Sequence, residues 1–228
     1  MLFDPLNDGI SRIELIDSMG NDLSVVNDAR ASFDKSSDVL TDRDIKLIDY
    51  LIKHSHTSPL RGVTFKFQVK APLFICRQWW KHCLASNHND EQIGWNERSF
   101  RYTDAIDQPE FYRPEVFAKQ STSNKQASAG ILTENENTLA SALYQATCDS
   151  SYDTYYRLIN IGVSREQARA VLVPAVYTSW VWTVSLQSAL NFIDLRTGSG
   201  AQTEIALYAE CVKELIAPIV PEVLKATL

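Results

Sequence analysis

Residues 62–70, Gly-Val-Thr-Phe-Lys-Phe-Gln-Val-Lys, alternate apolar and polar side chains without a break from Val63. A period of two sends successive side chains to opposite faces, so the segment reads as a strand and the chain must build a sheet around it. Pro72 suits the first turn of a helix, expected over 72–85, which is apolar and aromatic and carries Arg77, Gln78, Lys81 and His82. Further strands are expected over 11–18, before a turn at Gly20, and over 175–184, rich in Val, Tyr, Thr and Trp. Helices are expected over 22–30, from Thr41 to near Lys53, from Thr133 to about Asn160, over Ser185–Leu195 and, as the last one, from Ala201 to about Ala217. Thr133 with Glu136, and Ser164 with Gln167, have capping-box spacing. His54–Pro59 and residues 86–96 read as polar loops, and Ser99 to Tyr102 as extended chain. Residues 103–132 read as a variable surface segment, mobile over the Ser/Asn/Gln-rich stretch Gln120–Gly130. Without a regular βαβ rhythm, the fold class is α+β rather than a doubly wound sheet.

The 228 residues suit a single domain over 1–228. With a net charge of −6, the chain is not expected to wrap a nucleic acid polymer, although one small phosphate needs only a local cluster of Arg and Lys. The apolar runs 71–76 and 170–176 are too short to cross a membrane. Met1 to Arg12 carries Asp4 and Asp8 and no apolar signal region, so a cytoplasmic location is expected. Cys76, Cys83, Cys148 and Cys211 form no C-x-x-C pair and read as reduced thiols. His54, His56, His82 and His88 fit no familiar zinc spacing, and no metal is expected.

The chemistry concentrates between Cys76 and Tyr102. Arg77, Lys81, Arg98 and Arg101 fall together there in an acidic chain. Gln78, Lys81 and His82 stand at i, i+3 and i+4, on one helix face. Glu97, Ser99 and Arg101 are two apart, and in extended chain they point the same way. A hydroxyl, a guanidinium and backbone N–H groups are what hold a phosphate monoester. The same residues also read as a solvated loop after a buried aromatic helix. Arg169 on a short helix and Arg196 near a helix end are, by themselves, ordinary placements. The tryptophans 79, 80, 180 and 182 read as core before they read as a stacking platform. No dinucleotide fingerprint, P-loop, H-E-x-x-H or nucleophile elbow is present.

Taken in order, the motifs carry a resemblance. They are M-G-N-D-L-S-V-V-N-D-A-R-A-S-F at 19–33, H-T-S-P-L at 56–60, K-A-P-L-F-I-C-R-Q-W-W-K-H at 70–82 and N-E-R-S-F-R-Y at 96–102. There follow A-R-A-V-L-V-P at 168–174, Y-T-S-W-V-W-T-V at 177–184, L-N-F-I-D-L-R at 190–196 and A-Q-T-E-I at 201–205. Over nearly its whole length the chain resembles flavin-dependent thymidylate synthases. That resemblance implies a central, mostly antiparallel sheet flanked by helices. It implies reductive methylation of dUMP to dTMP with FAD as cofactor and NADPH and 5,10-methylenetetrahydrofolate as co-substrates, in a homotetramer with shared active sites. By position, Gln78, Lys81, Glu97, Arg98, Ser99, Phe100, Arg101, Arg169 and Arg196 would bind dUMP. Ser99, Arg101 and Arg169 would take its phosphate, and Arg196 would favour the ionised uracil as the catalytic residue. Ser58, Lys81, His82, Cys83, Glu97, Ser185, Gln187 and Asn191 would contact FAD.

The departures are specific. Lys81 and Cys83 replace two arginines of the family's R-H-R, and Ser185-Leu186-Gln187 replaces its N-A-R. Leu60-Arg61-Gly62 replaces the more usual F-E-H, so Arg61 is a candidate to restore a positive charge lost elsewhere. Fifteen residues separate Cys83 from Ser99 where the family pattern has seven, an insertion of eight. These departures leave two alternatives: a same-fold pyrimidine nucleotide hydroxymethylase, or a non-catalytic nucleotide-binding homologue.

Overall fold

A computed structural model describes residues 1–84, 94–101, 110–125 and 127–227, with the side chains of Cys83 and Leu84 outside the description. In chain order the elements are β1 (Leu2–Phe3), β2 (Arg12–Met19), α1 (Asp22–Arg30), α2 (Asp42–Lys53), β3 (Thr64–Pro72), α3 (Leu73–Leu84), β4 (Gly94–Glu97), β5 (Ala118–Gln120) and β6 (Ser128–Ile131). Then come α4 (Glu134–Asn160), α5 (Arg165–Ala168), β7 (Tyr177–Ser185), α6 (Leu186–Thr197), α7 (Thr203–Ile216) and α8 (Pro221–Thr227). A five-stranded sheet has the order β1-β2-β3-β7-β4, and β5 with β6 makes a separate antiparallel ribbon. β1 is antiparallel to β2, with Leu2 opposite Glu14 and Phe3 opposite Ile13. The α+β class read from the sequence is the class observed.

The alternation in β3 does what its period requires: Phe65, Phe67 and Val69 are fully buried, while Lys66 and Gln68 are exposed. β7 buries Trp180, Trp182 and Val184, and its intervening residues are half-covered. Pro72 closes β3 instead of opening α3, which starts one residue later, where Leu73 N–H donates to the Val176 carbonyl at 2.8 Å.

Several segments differ from expectation for identifiable reasons. Gly94–Glu97 is a strand, not the end of a loop. Trp95 stacks on Trp180 with centroids 4.8 Å apart, and the Thr183 side chain stands 3.2 Å from where a Cβ on Gly94 would sit. Extended chain ends at Glu97, and residues 100–101 turn. The Ser/Asn/Gln-rich stretch carries the β5–β6 ribbon, exposed as a surface segment should be. Gln120 Nε2 lies 3.1–3.3 Å from the carbonyls of Ser121, Asn124, Lys125 and Ala127, so one amide organises the turn. Ser58–Gly62, expected as the end of a loop and the start of a strand, is a 3₁₀ turn. Ser164 starts α5 without a side-chain cap; its carbonyl accepts from Gln167 N–H at 3.0 Å. β1 and α8 were not expected. Residues 85–93 and 102–109, which include most of the inserted loop, lie outside the described residues.

The chain divides into two compact units. The first holds Met1–Val69, Gln78–Asn96 and Trp180–Leu228, around a core of Trp79, Trp180, Trp182, Phe192 and Tyr208. In it Gly20 turns from β2 into α1 with φ +83°, a backbone angle that costs glycine nothing. A Cβ on Gly62 would lie 1.9 Å from Asp28 Oδ2, so any larger residue there would have to displace the Asp28 carboxylate. Asp22 holds the start of α8, accepting from Glu222 N–H at 2.9 Å and Val223 N–H at 3.1 Å. The second unit holds Lys70–Arg77 and Glu97–Ser179. Its core gathers Phe111, Cys148, Ala175 and Val176 with Phe100, Tyr152 and Leu172 packed against them. Ser151 of α4 donates to the Val171 carbonyl at 2.9 Å and accepts from Val173 N–H at 3.1 Å, which fixes the segment after Arg169.

Candidate active site

The second unit contains a cleft of about 560 Å³ lined by Arg77, Glu97, Arg98, Ser99, Phe100, Arg101, Glu166 and Arg169, with Leu73, Ala170, Leu172 and Val176 as its apolar wall. Four arginines against two carboxylates give it a positive balance within an acidic chain. The guanidinium groups of Arg77, Arg98 and Arg169 make no hydrogen bond or ion pair among the described residues, so their donors remain on offer. The rim is held from the backbone. Arg98 N–H donates to the Ser179 carbonyl at 2.8 Å, and Arg101 N–H donates to Ser99 Oγ at 3.2 Å. Glu97 is oriented by Thr178, whose hydroxyl donates to its Oε1 at 3.0 Å. Phe100 packs into both apolar clusters of this unit and anchors the turn that carries Ser99 and Arg101. Guanidinium groups, a hydroxyl and free space of this size are the means of holding a phosphate monoester.

The first unit contains a second cluster. Arg196, on the last turn of α6, donates from Nε to His82 Nε2 at 2.8 Å and from Nη2 to the Gln78 carbonyl at 3.3 Å. His82 lies edge-on to Phe192, with centroids 5.1 Å apart. Because Arg196 can only donate, His82 must accept at Nε2 and carry its hydrogen on Nδ1. Burial, and then the Arg196 charge, pull His82 from its usual 6.5 to about 4. Burial also lowers Arg196 from the ordinary guanidinium value. The Gln78 side chain reaches Gln202, Nε2 to Oε1, at 2.5 Å.

The sign of the His82 shift gives a pH dependence. Between pH 6.5 and about 4 the unfolded chain binds this proton and the folded chain does not. This group's contribution to stability is therefore complete above that window and declines as pH falls through it. His82→Gln is expected to remove that part of the acid-side decline in unfolding series run across the window. An unchanged decline would show that the imidazole is not held neutral.

The remaining predicted site residues are placed as follows. Ser58 is exposed on the 3₁₀ turn, and Lys81 is exposed on α3. Cys83 belongs to α3, with its side chain outside the description. Ser185 is fully buried and caps α6, its hydroxyl accepting from Ser188 N–H at 3.3 Å, so its own task includes setting that helix. Gln187 is buried on the first turn of α6 and accepts from Arg61 Nε at 2.8 Å. Asn191 is half-buried on the next turn. The described residues thus bring Glu97, Arg98, Ser99, Phe100, Arg101 and Arg169 to one cleft, and Gln78, His82 and Arg196 to one cluster. Arg77, counted among the cations of the Cys76–Tyr102 cluster but not assigned to a ligand, and Glu166, not singled out at all, also line the cleft. Glu166 stands three positions before Arg169, a helical spacing that was visible in the sequence.

A four-arginine cleft in an acidic α+β chain has the donors that holding a small phosphorylated ligand requires. A family model described as "Thymidylate synthase complementing protein" matches residues 14–222. The flavin-dependent thymidylate synthase of Thermus thermophilus is 42% identical over 209 residues, covering 92% of this chain and 72% of the relative. That of Kosmotoga olearia is 38% identical over 216 residues, covering 95% and 89%. Among solved structures, the UMP/dUMP methylase PolB from Streptomyces cacaoi bound with 5-Br dUMP superposes with a TM-score of 0.80 at 27% identity, covering 94% of this chain and 93% of that one. The chain belongs to the flavin-dependent thymidylate synthase family.

Proposed function

We propose that this chain methylates dUMP reductively to dTMP, using FAD, NADPH and 5,10-methylenetetrahydrofolate. The observation that carries the reading is the arginine cleft around Ser99, found in a chain of this family. Ser99, Arg101 and Arg169 take the phosphate end of dUMP, with Arg77 and Arg98 adding positive potential and Glu97 and Phe100 shaping the wall. Gln78 and Lys81 complete the substrate contacts. Arg196 stabilises negative charge developing on the pyrimidine, as preorganised electrostatic catalysis. No cysteine nucleophile is required, and the surroundings of Cys148 and Cys211 agree. Burial raises Cys148, and burial with nearby glutamates raises Cys211 to about 11, the opposite of an activated thiol. When bound, FAD supplies the redox chemistry, passing reducing equivalents from NADPH to the transferred one-carbon unit. Ser58, Lys81, His82, Cys83, Glu97, Ser185, Gln187 and Asn191 remain the residues assigned to hold it. The buried Gln187 amide nitrogen, which has no acceptor among the described residues, fits a partner of that kind.

One match over residues 14–222 crosses both compact units, which supports treating residues 1–228 as one catalytic domain. Homotetramer formation is part of the proposal. α4 leaves Leu139 and Leu143 each 62% exposed, one turn apart, beside an apolar groove of about 510 Å³, and light scattering measures the assembly directly. Among the described residues no helix is long and apolar enough to cross a membrane. Action in the cytoplasm agrees with Cys76, Cys148 and Cys211, which form no disulfide among the described residues.

Arg101→Ala and Arg169→Ala are each expected to weaken dUMP binding by about 1.5–3 kcal/mol, the range for a charge-assisted hydrogen bond. Calorimetry with unchanged dUMP affinity would move the phosphate elsewhere. The reading as a whole is tested by adding FAD and then dUMP to purified protein. Visible flavin bands that shift on adding dUMP support it, and a protein that takes up no FAD overturns it.

A further inference from the structure

Arg61 lies exposed on the 3₁₀ turn Ser58–Gly62, and Gln187 is 3% exposed on the first turn of α6. Arg61 Nε donates to Gln187 Oε1 at 2.8 Å. A guanidinium can only donate, so the amide oxygen must face it and the amide nitrogen must point away. That nitrogen, Nε2, is buried and has no acceptor among the described residues. The two Nη groups of Arg61 likewise take part in no hydrogen bond or ion pair there. Asp28 Oδ2 packs where a side chain on Gly62 would go, yet it forms no ion pair with Arg61. The pair therefore presents only donors, one of them buried, and nothing in the described protein accepts from them. Buried amide N–H groups left this way are rare because they forfeit their hydrogen bonds to water. A ligand with anionic acceptor oxygens resolves the arrangement. The first turn of α6 offers only N–H donors beside this pair, and two of them are already taken. Leu186 N–H is taken by the Val63 carbonyl at 2.8 Å, and Ser188 N–H by Ser185 Oγ at 3.3 Å.

We infer that Arg61, oriented by Gln187, binds the diphosphate of FAD. The inference rests on the flavoenzyme reading above. It assigns a binding role to a residue where the family pattern has a carboxylate, and it makes Gln187 a positioning residue that also donates from Nε2. Ser58, on the same 3₁₀ turn as Arg61, is already assigned to the cofactor.

The test titrates FAD into the apoprotein, followed by calorimetry, and then titrates dUMP into the FAD-saturated protein. Arg61→Ala is expected to weaken FAD about 10- to 100-fold, with dUMP affinity and the thermal midpoint unchanged. Raising salt should weaken FAD binding more in the wild type than in Arg61→Ala. Arg61→Lys should recover part of the loss, since it keeps charge without the fork. Gln187→Glu separates a ligand role from a structural one. It keeps the bond to Arg61 and neutralises its charge, so FAD should weaken although the fold is retained. Unchanged FAD affinity in Arg61→Ala and Gln187→Glu overturns the inference while leaving the flavoenzyme reading intact. A loss confined to dUMP reassigns the donors to the substrate phosphate and overturns it too. A wild-type protein that takes up no FAD overturns both.

Discussion

Replacing Arg196 with alanine is expected to leave a folded protein whose turnover falls by about 10²–10³-fold, the cost of deleting one preorganised donor aimed at developing charge. The expectation follows from how the residue is held. Its Nε is fixed on His82 at 2.8 Å and its Nη2 on the Gln78 carbonyl at 3.3 Å, while Nη1 makes no hydrogen bond among the described residues. Two bonds aim the guanidinium and leave donors for a substrate. Half-burial removes much of the water that would screen it, so its charge acts more strongly than it would in solution. Arg196→Lys is expected to recover little, because an ammonium cannot make the two anchoring bonds and keep the same direction. Near-normal turnover in Arg196→Ala would remove this residue from the chemistry. Rates should be measured at saturating dUMP, so that a loss of binding is not read as a loss of catalysis.

Trp79→Ala should carry the largest stability penalty, about 3–5 kcal/mol. Trp79 is fully buried and lies at the meeting point of the first unit's aromatic core. It stacks on Phe192 at 4.4 Å and meets Trp180, Trp182 and Tyr208 edge-on at 5.4, 5.2 and 5.9 Å. Its indole N–H has no acceptor among the described residues, and neither do those of Trp180 and Trp182, so the rings contribute packing there and not hydrogen bonding. Trp79→Phe is accordingly expected to cost far less than Trp79→Ala. Denaturant unfolding of both variants separates them, and a penalty below about 1 kcal/mol for Trp79→Ala would contradict the packing argument. The proposed site adjoins this core, because Gln78 precedes Trp79, His82 follows it by one turn, and Phe192 supports His82 edge-on.

What the sequence made legible was what local periodicity and capping encode. The alternation of 63–70, the Thr41 and Thr133 helix starts and the Gly20 turn are local features, and each appears where its residues place it. Non-local partners account for what was missed. α8 starts on a carboxylate, Asp22, that is distant in the chain. β4 looked polar because its anchor, Trp95, finds its stacking partner on β7. The extended chain expected over Ser99 to Tyr102 is a turn at residues 100–101, where Phe100 packs into an apolar cluster. At the site, residue types and order were legible from the family motifs, and the bonds between distant residues were not. Nothing in the sequence tells that Arg61 meets Gln187, or that His82 is the acceptor for Arg196.

The most direct measurement is product analysis after incubating dUMP with the protein, FAD, NADPH and 5,10-methylenetetrahydrofolate, beside a control without FAD. Formation of dTMP in the complete mixture, and its absence without flavin in flavin-free protein, is the result expected. Recovery of unchanged dUMP from flavin-loaded protein, or of a hydroxymethylated nucleotide in place of dTMP, would contradict it.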